Sequence, residues 1–342
     1  MCPLFVTAAR AHGRTSARAH RRTSAQGHGY AGVSRARSQR IPIGRRSATY
    51  DGQVTSANTP AEDLASDLLR GRWIEIDGVV NMRDLGGLPT ADGGTVAPRR
   101  LIRSDNLQDL SPSAVDHLVS EIGVRDIVDL RSETELHVLG DGPLRRVESL
   151  AHHHHSLLPE RAFRARVPSA PPAREDAESA GEIPDSGLGS PWKKYDGHRD
   201  AAFWADHYLG YLSDRPDSVS AALDIVSRSS GATIVHCAAG KDRTGTVVAL
   251  ALSVAGVSDE VIIADYVLTD ERITRILDRL SSHPVYGEAL KSQPVEDQRP
   301  KPESMVAILT ALRDGFGGAS GWLRDQGWSA DDLSRLRAQL RG

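Results

Sequence analysis

Cys237 and Arg243 enclose five residues, Ala238-Ala239-Gly240-Lys241-Asp242, and Thr244 follows the arginine. Those residue types at that spacing suit a nucleophile that handles phosphate. Cysteine attacks as its thiolate, which a helix N-terminus with converging backbone N–H groups favours. The same N–H groups hold a phosphate dianion. Ala238, Ala239 and Gly240 are small enough for the backbone to wrap that closely. Arg243 can grip two phosphate oxygens with its planar fork. The Thr244 hydroxyl can hydrogen-bond the sulfur and help it leave a phosphocysteine. The surroundings agree, because 232–235 reads as a short apolar strand and 242–255 as a helix. A core cysteine with an arginine six residues on by chance is the bland alternative. His236, Gly240, Lys241, Asp242, Thr244 and Gly245, all in place, argue against it.

The run His-Cys-x-x-Gly-Lys-Asp-Arg-Thr-Gly at 236–245 resembles the signature loop of the cysteine-dependent phosphatases, and more narrowly that of the bacterial tyrosine/lipid phosphatase family. The resemblance covers about residues 70–340 and leaves 159–200 outside it. It implies a phosphomonoester hydrolase working through a phosphocysteine on phosphotyrosine proteins, with phosphoserine, phosphothreonine and phosphoinositides as further substrates to weigh. Asn81-Met82-Arg83-Asp84-Leu85-Gly86-Gly87 matches a segment that buttresses the site in that family. Residues 101–105 and Ala264-Asp265-Tyr266-Val267-Leu268-Thr269 resemble other family elements around the loop, and 317–323 matches its C-terminal element loosely. A lysine placed like Lys241 also occurs in phosphoinositide phosphatases, where it meets extra ring phosphates. The plain reading is that Lys241 raises the local positive potential.

The expected chemistry is in-line attack by Cys237, with Arg243 and the amides of 238–243 holding the phosphoryl oxygens. His236 orients the cysteine rather than acting as a base. No metal or other cofactor is called for, since the arginine and the amides supply the positive field. The general acid stays open, because the Trp-Pro-Asp of conventional tyrosine phosphatases does not occur. Asp242 comes first, since a carboxylate beside a bound phosphate favours its protonated form. Asp129 comes second, and equally reads as half of a buried pair with Arg131. Asp84 and acids of the insert rank behind. The competing reading is a module that binds phosphorylated ligands without turnover. Intact Cys237, Arg243 and Thr244 count against it, and Arg243-Thr244 with the following helix counts against sulfur transfer.

These residues need a scaffold. Segments 73–76 and 79–80 alternate enough for a hairpin, and 101–105 reads as a strand. Ser111-Pro112 opens a helix to about 122. Residues 127–130 read as a buried central strand, which sets Asp129 on the rim of Cys237 if the two strands are parallel neighbours. Ser132 and Glu135 form a capping box. A strand at 147–150 ends at His152–His155. Consecutive strand side chains face opposite ways, so the four histidines chelate poorly; one or two are expected near the site and the rest solvated. Further helices are expected at 200–212, with Phe203, Trp204, Tyr208 and Tyr211, and at 217–229, 258–281, 302–314 and 330–340. The fold class is α/β: a central, mostly parallel sheet of four or five strands flanked by helices, with a small N-terminal hairpin and a helical lid.

The 342 residues divide unevenly. The first 50 hold ten arginines and no acid, leaving 32 basic against 45 acidic residues and a net of −13 beyond them. Residues 1–60 read as a disordered basic leader, and 61–342 as one phosphatase domain with a flexible insert or lid at about 159–212. Three readings of the leader compete: a basic arm, a targeting peptide, or a non-native extension with translation starting near Val54. It lacks the aromatics of a nucleic-acid binder, so no nucleic acid is expected. The domain is expected to begin with a helix capped by Thr59-Pro60. Two cysteines, Cys2 and Cys237, fit a reducing compartment. No stretch is apolar enough to span a membrane. Cytoplasmic location is the default, with export left open. The expected partner is a phosphorylated protein or phosphoinositide, and oligomeric state has no signal in the sequence.

Overall fold

The computed structural model describes residues 71–159, 199–291 and 293–342. The basic leader, the helix expected from Thr59-Pro60 and nearly all of the 159–200 insert lie outside the described residues. Five strands form one sheet: β1 (Arg83–Asp84), β2 (Leu101–Ser104), β3 (Val124–Asp129), β4 (Ala151–His154) and β5 (Ala232–His236). Their order is β1-β2-β5-β3-β4, with β1 antiparallel to β2 and every other pairing parallel. The fold is thus the expected α/β architecture. Every residue of β5 is buried, as a central parallel strand with both faces covered must be. Its side chains alternate: Val235 joins Leu101 and Val128 in one core, and Ile234 joins Ile102 and Ile127 in the other. The register sets Ser104 and Asp129 on either side of His236. Three strand ends therefore share one rim.

Helices cover the faces. In chain order they are α1 (Pro112–Asp116), α2 (Glu133–Leu139), α3 (Ala201–Asp214), α4 (Pro216–Arg228), α5 (Asp242–Ala255), α6 (Asp259–Val267), α7 (Ile273–Ser281), α8 (Pro284–Lys291), α9 (Val295–Gln298), α10 (Pro302–Phe316), α11 (Ala319–Asp325) and α12 (Ala330–Arg341). Helix α5 is buried on nearly all sides, which its apolar run 247–252 allows. Ile276, Leu280, Tyr286 and Leu290 of α7 and α8 pack on Ala238 and Ala239. Among the described residues no helix is long and apolar enough to cross a membrane.

Four local expectations shift. The hairpin pairs Trp73 with Arg83 and Ile74 with Met82 rather than closing at 79–80. The Val80 and Asn81 amides go instead to the Asp105 carboxylate. The helix after Ser111 is α-helical only to Asp116, then widens to a π-turn at His117–Ile122 that stops at left-handed Gly123. The span 258–281 breaks at Leu268–Arg272, where Thr269 accepts from Arg83 and Asp270 from Arg299. The strand expected at 147–150 lies at Ala151–His154, so three of the histidines are themselves in the strand. None is left solvated. His152 bonds the Leu144 carbonyl, His153 the Asp126 carboxylate and His154 the Arg131 carbonyl, while His155 is half-buried.

One buried polar cluster ties helix α6 to the strands. Asp265 takes Arg83 Nε at 2.8 Å and Arg103 Nη1 at 2.5 Å. Arg83 also donates to the Asp265 carbonyl and to Asn81 Oδ1. Burial, helped by neighbouring Arg103, pulls the Arg83 guanidinium down to about 10, still charged at neutral pH. Asp265→Ala leaves two buried arginines without their shared counter-ion, so it should destabilise the fold by about 3–5 kcal/mol. Urea unfolding of the two proteins checks this.

Candidate active site

Strand β5 ends at His236 and α5 starts at Asp242, so Cys237–Lys241 is the loop at the carboxyl edge of the sheet. The scaffold holds this loop by its carbonyls. Asn106 N–H donates to the Ala238 carbonyl at 2.9 Å, Asn81 Nδ2 to Ala239 at 2.8 Å, and Arg103 Nη2 to Gly240 at 2.7 Å. A peptide is planar and trans, so its N–H points opposite its C=O. Fixing three successive carbonyls outward turns the amides of 239–241 toward the inside of the loop. Gly240 makes this turn with φ at +67°, and a Cβ there would lie 2.5 Å from the Ser104 carbonyl oxygen. No side chain caps the start of α5. Its first N–H groups and the positive end of its dipole remain available to an anion.

Arg243, in the first turn of α5, is held rigidly. Its Nη1 and Nη2 donate to Glu135 Oε2 and Oε1 at 2.6 and 3.0 Å. Glu135 closes the expected capping box with Ser132, and Tyr286 also donates to its Oε1 at 2.8 Å. Burial alone would raise the Glu135 carboxyl, but the charge and hydrogen bonds of Arg243 outweigh it and hold the group below its ordinary value. Sequence reasoning saw Glu135 only as a helix cap; nothing local signals that the same carboxylate orients the arginine.

The expected site residues fall into three settings. Cys237 is free and only 2 % exposed, at the floor of the loop. On one side His236 Nε2 lies 3.5 Å from Asp129 Oδ2, and Asp129 is clamped by Arg131 through contacts of 2.5–3.1 Å. Burial pulls the His236 imidazole down to about 4, with Asp129 offsetting part of it, so the ring is neutral at pH 7. Burial would raise the Asp129 carboxyl, but the charges of His236 and Arg131 hold it well below the usual carboxylate range. On the other side helix α3 covers the loop with three aromatics at i, i+4 and i+7. The Trp204 ring sits 4.1 Å from Lys241 Nζ, which also donates to the Gln298 carbonyl at 2.7 Å. Tyr208 donates to Asp242 Oδ1 at 2.5 Å and bonds Tyr266 at 2.6 Å. Tyr211 is buried, and its hydroxyl has no partner.

Two side chains sit otherwise than the sequence reading placed them. The Thr244 hydroxyl is buried without a hydrogen bond, so the bond to sulfur is not made here. Asp84 accepts from the Gly86 and Arg99 amides and braces a turn away from the loop. Lys241 is buried under α3, and burial lowers its ammonium. His152 and His153 share the lining of a small cavity with Asp129, Arg131 and His236. Among the described residues no group of His, Cys, Asp and Glu could hold a metal ion.

The neutral His236 has a consequence for stability. Between about 6.5 and 4 the unfolded chain binds a proton that the native state refuses, so stability rises with pH across that window and is lost on acidification. His236→Asn should flatten the curve between pH 6.5 and 4, measured as urea midpoints at several pH values. An unchanged slope would contradict the neutral, buried ring.

Comparison with known proteins agrees with this geometry. Over 284 residues the chain is 28 % identical to the triple specificity protein phosphatase PtpB of Mycobacterium tuberculosis, spanning 78 % of this chain and 99 % of that protein. Over 122 residues it is 31 % identical to a tyrosine-protein phosphatase of Nostoc commune, spanning 34 % of this chain and 41 % of that one. The sequence profile of the tyrosine phosphatase family matches residues 74–342. With a cysteine–arginine loop held open for an oxyanion and a match along most of its length, the chain belongs to the tyrosine phosphatase family.

Proposed function

We propose that this enzyme hydrolyses phosphotyrosine in proteins through a phosphocysteine on Cys237, and that residues 61–342 form the phosphatase domain. The observation that carries the reading is the loop itself, whose Ala238, Ala239 and Gly240 carbonyls are taken by Asn106, Asn81 and Arg103 while Glu135 aims Arg243. In the first step the Cys237 thiolate attacks phosphorus and the P–O ester bond breaks. The bonding pair goes to the leaving oxygen, which takes a proton from Asp242. The amides of 238–243 and the Arg243 fork carry the equatorial oxygens as charge shifts. In the second step water attacks phosphorus and gives a proton back to Asp242. The S–P bond breaks, releasing orthophosphate and restoring the thiolate.

Asp242 fits the acid role by position, in the first turn of α5 with one oxygen fixed by Tyr208. Asp129 fits a different one. Held ionised by Arg131, it suits orienting the histidine and its loop, not giving up a proton. Phosphoserine, phosphothreonine and phosphoinositides belong to the substrate range to be tested, since the mycobacterial relative is named for triple specificity. A reduced cysteine suits a cytoplasmic site of action, with export the alternative.

Turnover should be abolished in Cys237→Ser and indifferent to chelator, read as phosphate release from phosphotyrosine, phosphoserine and phosphothreonine peptides and mono-phosphoinositides. Tight binding of those ligands by a wild type that never releases phosphate would favour the binding-module reading. Asp242→Asn should slow hydrolysis of phenyl phosphate by about 10²–10⁴-fold. Esters whose leaving group needs no proton should lose far less. Equal losses on both would remove Asp242 from the acid role.

A further inference from the structure

Helix α3 follows the loop one aromatic at a time. Trp204 lies against Lys241, and Tyr208, one turn on, bonds Asp242. Tyr211 comes next on the same face. Its ring stacks on Tyr208 at 6.2 Å with 26° between the planes. Tyr211 lies in the same buried cluster as Cys237. Its surroundings say the same: its ionisation is opposed by burial first and by Asp242, Cys237 and Glu135, and eased by Arg243. All four are residues of the loop or of its arginine clamp.

This phenol is 3 % exposed and its oxygen has no hydrogen-bond partner. Folded proteins rarely leave a buried hydroxyl unpaired without a role for it, because the lost hydration goes uncompensated. Tyr286 shows the contrast within this site, since its hydroxyl is spent on Glu135. A phosphoryl group in the loop presents three acceptor oxygens, and a phenol held neutral is a donor that adds no charge.

We propose that Tyr211 is a further catalytic residue, whose hydroxyl donates a hydrogen bond to a non-bridging oxygen of the phosphoryl group held by the 237–243 loop. It thereby joins Arg243 and the loop amides in holding the transferred group. The identity of the anion rests on the function proposed above; the donor itself can be tested without turnover.

The test uses Tyr211→Phe, which keeps the ring and its stacking and removes an atom that bonds nothing in the unliganded protein. Tungstate binding to the full chain is measured by calorimetry in Cys237→Ser and in Cys237→Ser/Tyr211→Phe. The second should bind about ten- to hundredfold more weakly, the range for a hydrogen bond to a charged acceptor. In the otherwise wild-type enzyme, Tyr211→Phe should lower kcat/KM by a similar factor with both limbs of its pH profile in place. Tungstate affinity within twofold of the parent, with kcat/KM equally unchanged, overturns the proposal. Absence of turnover by the wild type, with tungstate still held through Tyr211, would instead sink the proposed function and leave this contact standing.

Discussion

Everything in this site depends on three carbonyls facing the wrong way for substrate. The Ala238, Ala239 and Gly240 oxygens would repel a phosphate if they turned inward. Each is held outward by a donor from a different part of the chain: Asn106 after β2, Asn81 before β1, and Arg103 on β2. The donors are themselves constrained. Arg103 and Arg83 share Asp265 from α6, and Arg83 in turn holds the side chain of Asn81. Removed from water, these groups lose too much if any one is unpaired. The network therefore sets one geometry, and the loop amides inherit it.

A second buried chain of charge fixes the arginine. Glu135 satisfies the start of α2 and the fork of Arg243 with one carboxylate. An isolated carboxylate at this depth would be protonated, and an isolated arginine would be expelled; together they stay charged. On the opposite flank Asp129 and Arg131 do the same for each other and leave His236 neutral. Positive charge is thereby concentrated on Arg243 and the helix end, where an oxyanion belongs, and kept off the histidine. Helix α3 completes the enclosure with Trp204 on Lys241 and Tyr208 on Asp242.

Some of the scaffold resisted a reading from local pattern. From the sequence, one or two of the four histidines are expected near the site and the rest solvated. Instead His152–His154 form most of the edge strand β4, and each of these three rings has a partner. The 258–281 helix breaks without glycine or proline, at a turn where Thr269 and Asp270 answer to Arg83 and Arg299, distant in sequence. In both places hydrogen bonds between distant residues override local propensity, which is worth only tenths of a kcal/mol per residue, or about 1 at most.

The spacing of Cys237 and Arg243, the strand–loop–helix that carries them, the parallel sheet and the Ser132–Glu135 cap were all legible in the amino-acid order. Each is a short-range pattern: a fixed spacing, a period, or a cap three residues from its partner. What only tertiary structure decided is which side chains do the holding. Glu135 reaches Arg243 across 108 positions, Asn81 reaches Ala239 across 158, and Arg83 reaches Asp265 across 182. Tyr208 stood out as an aromatic on a helix expected to belong to a lid, yet nothing in the sequence paired it with Asp242. Pairings at such separations leave no period or spacing behind; they exist because buried polar groups must find partners once the sheet has brought their strands together.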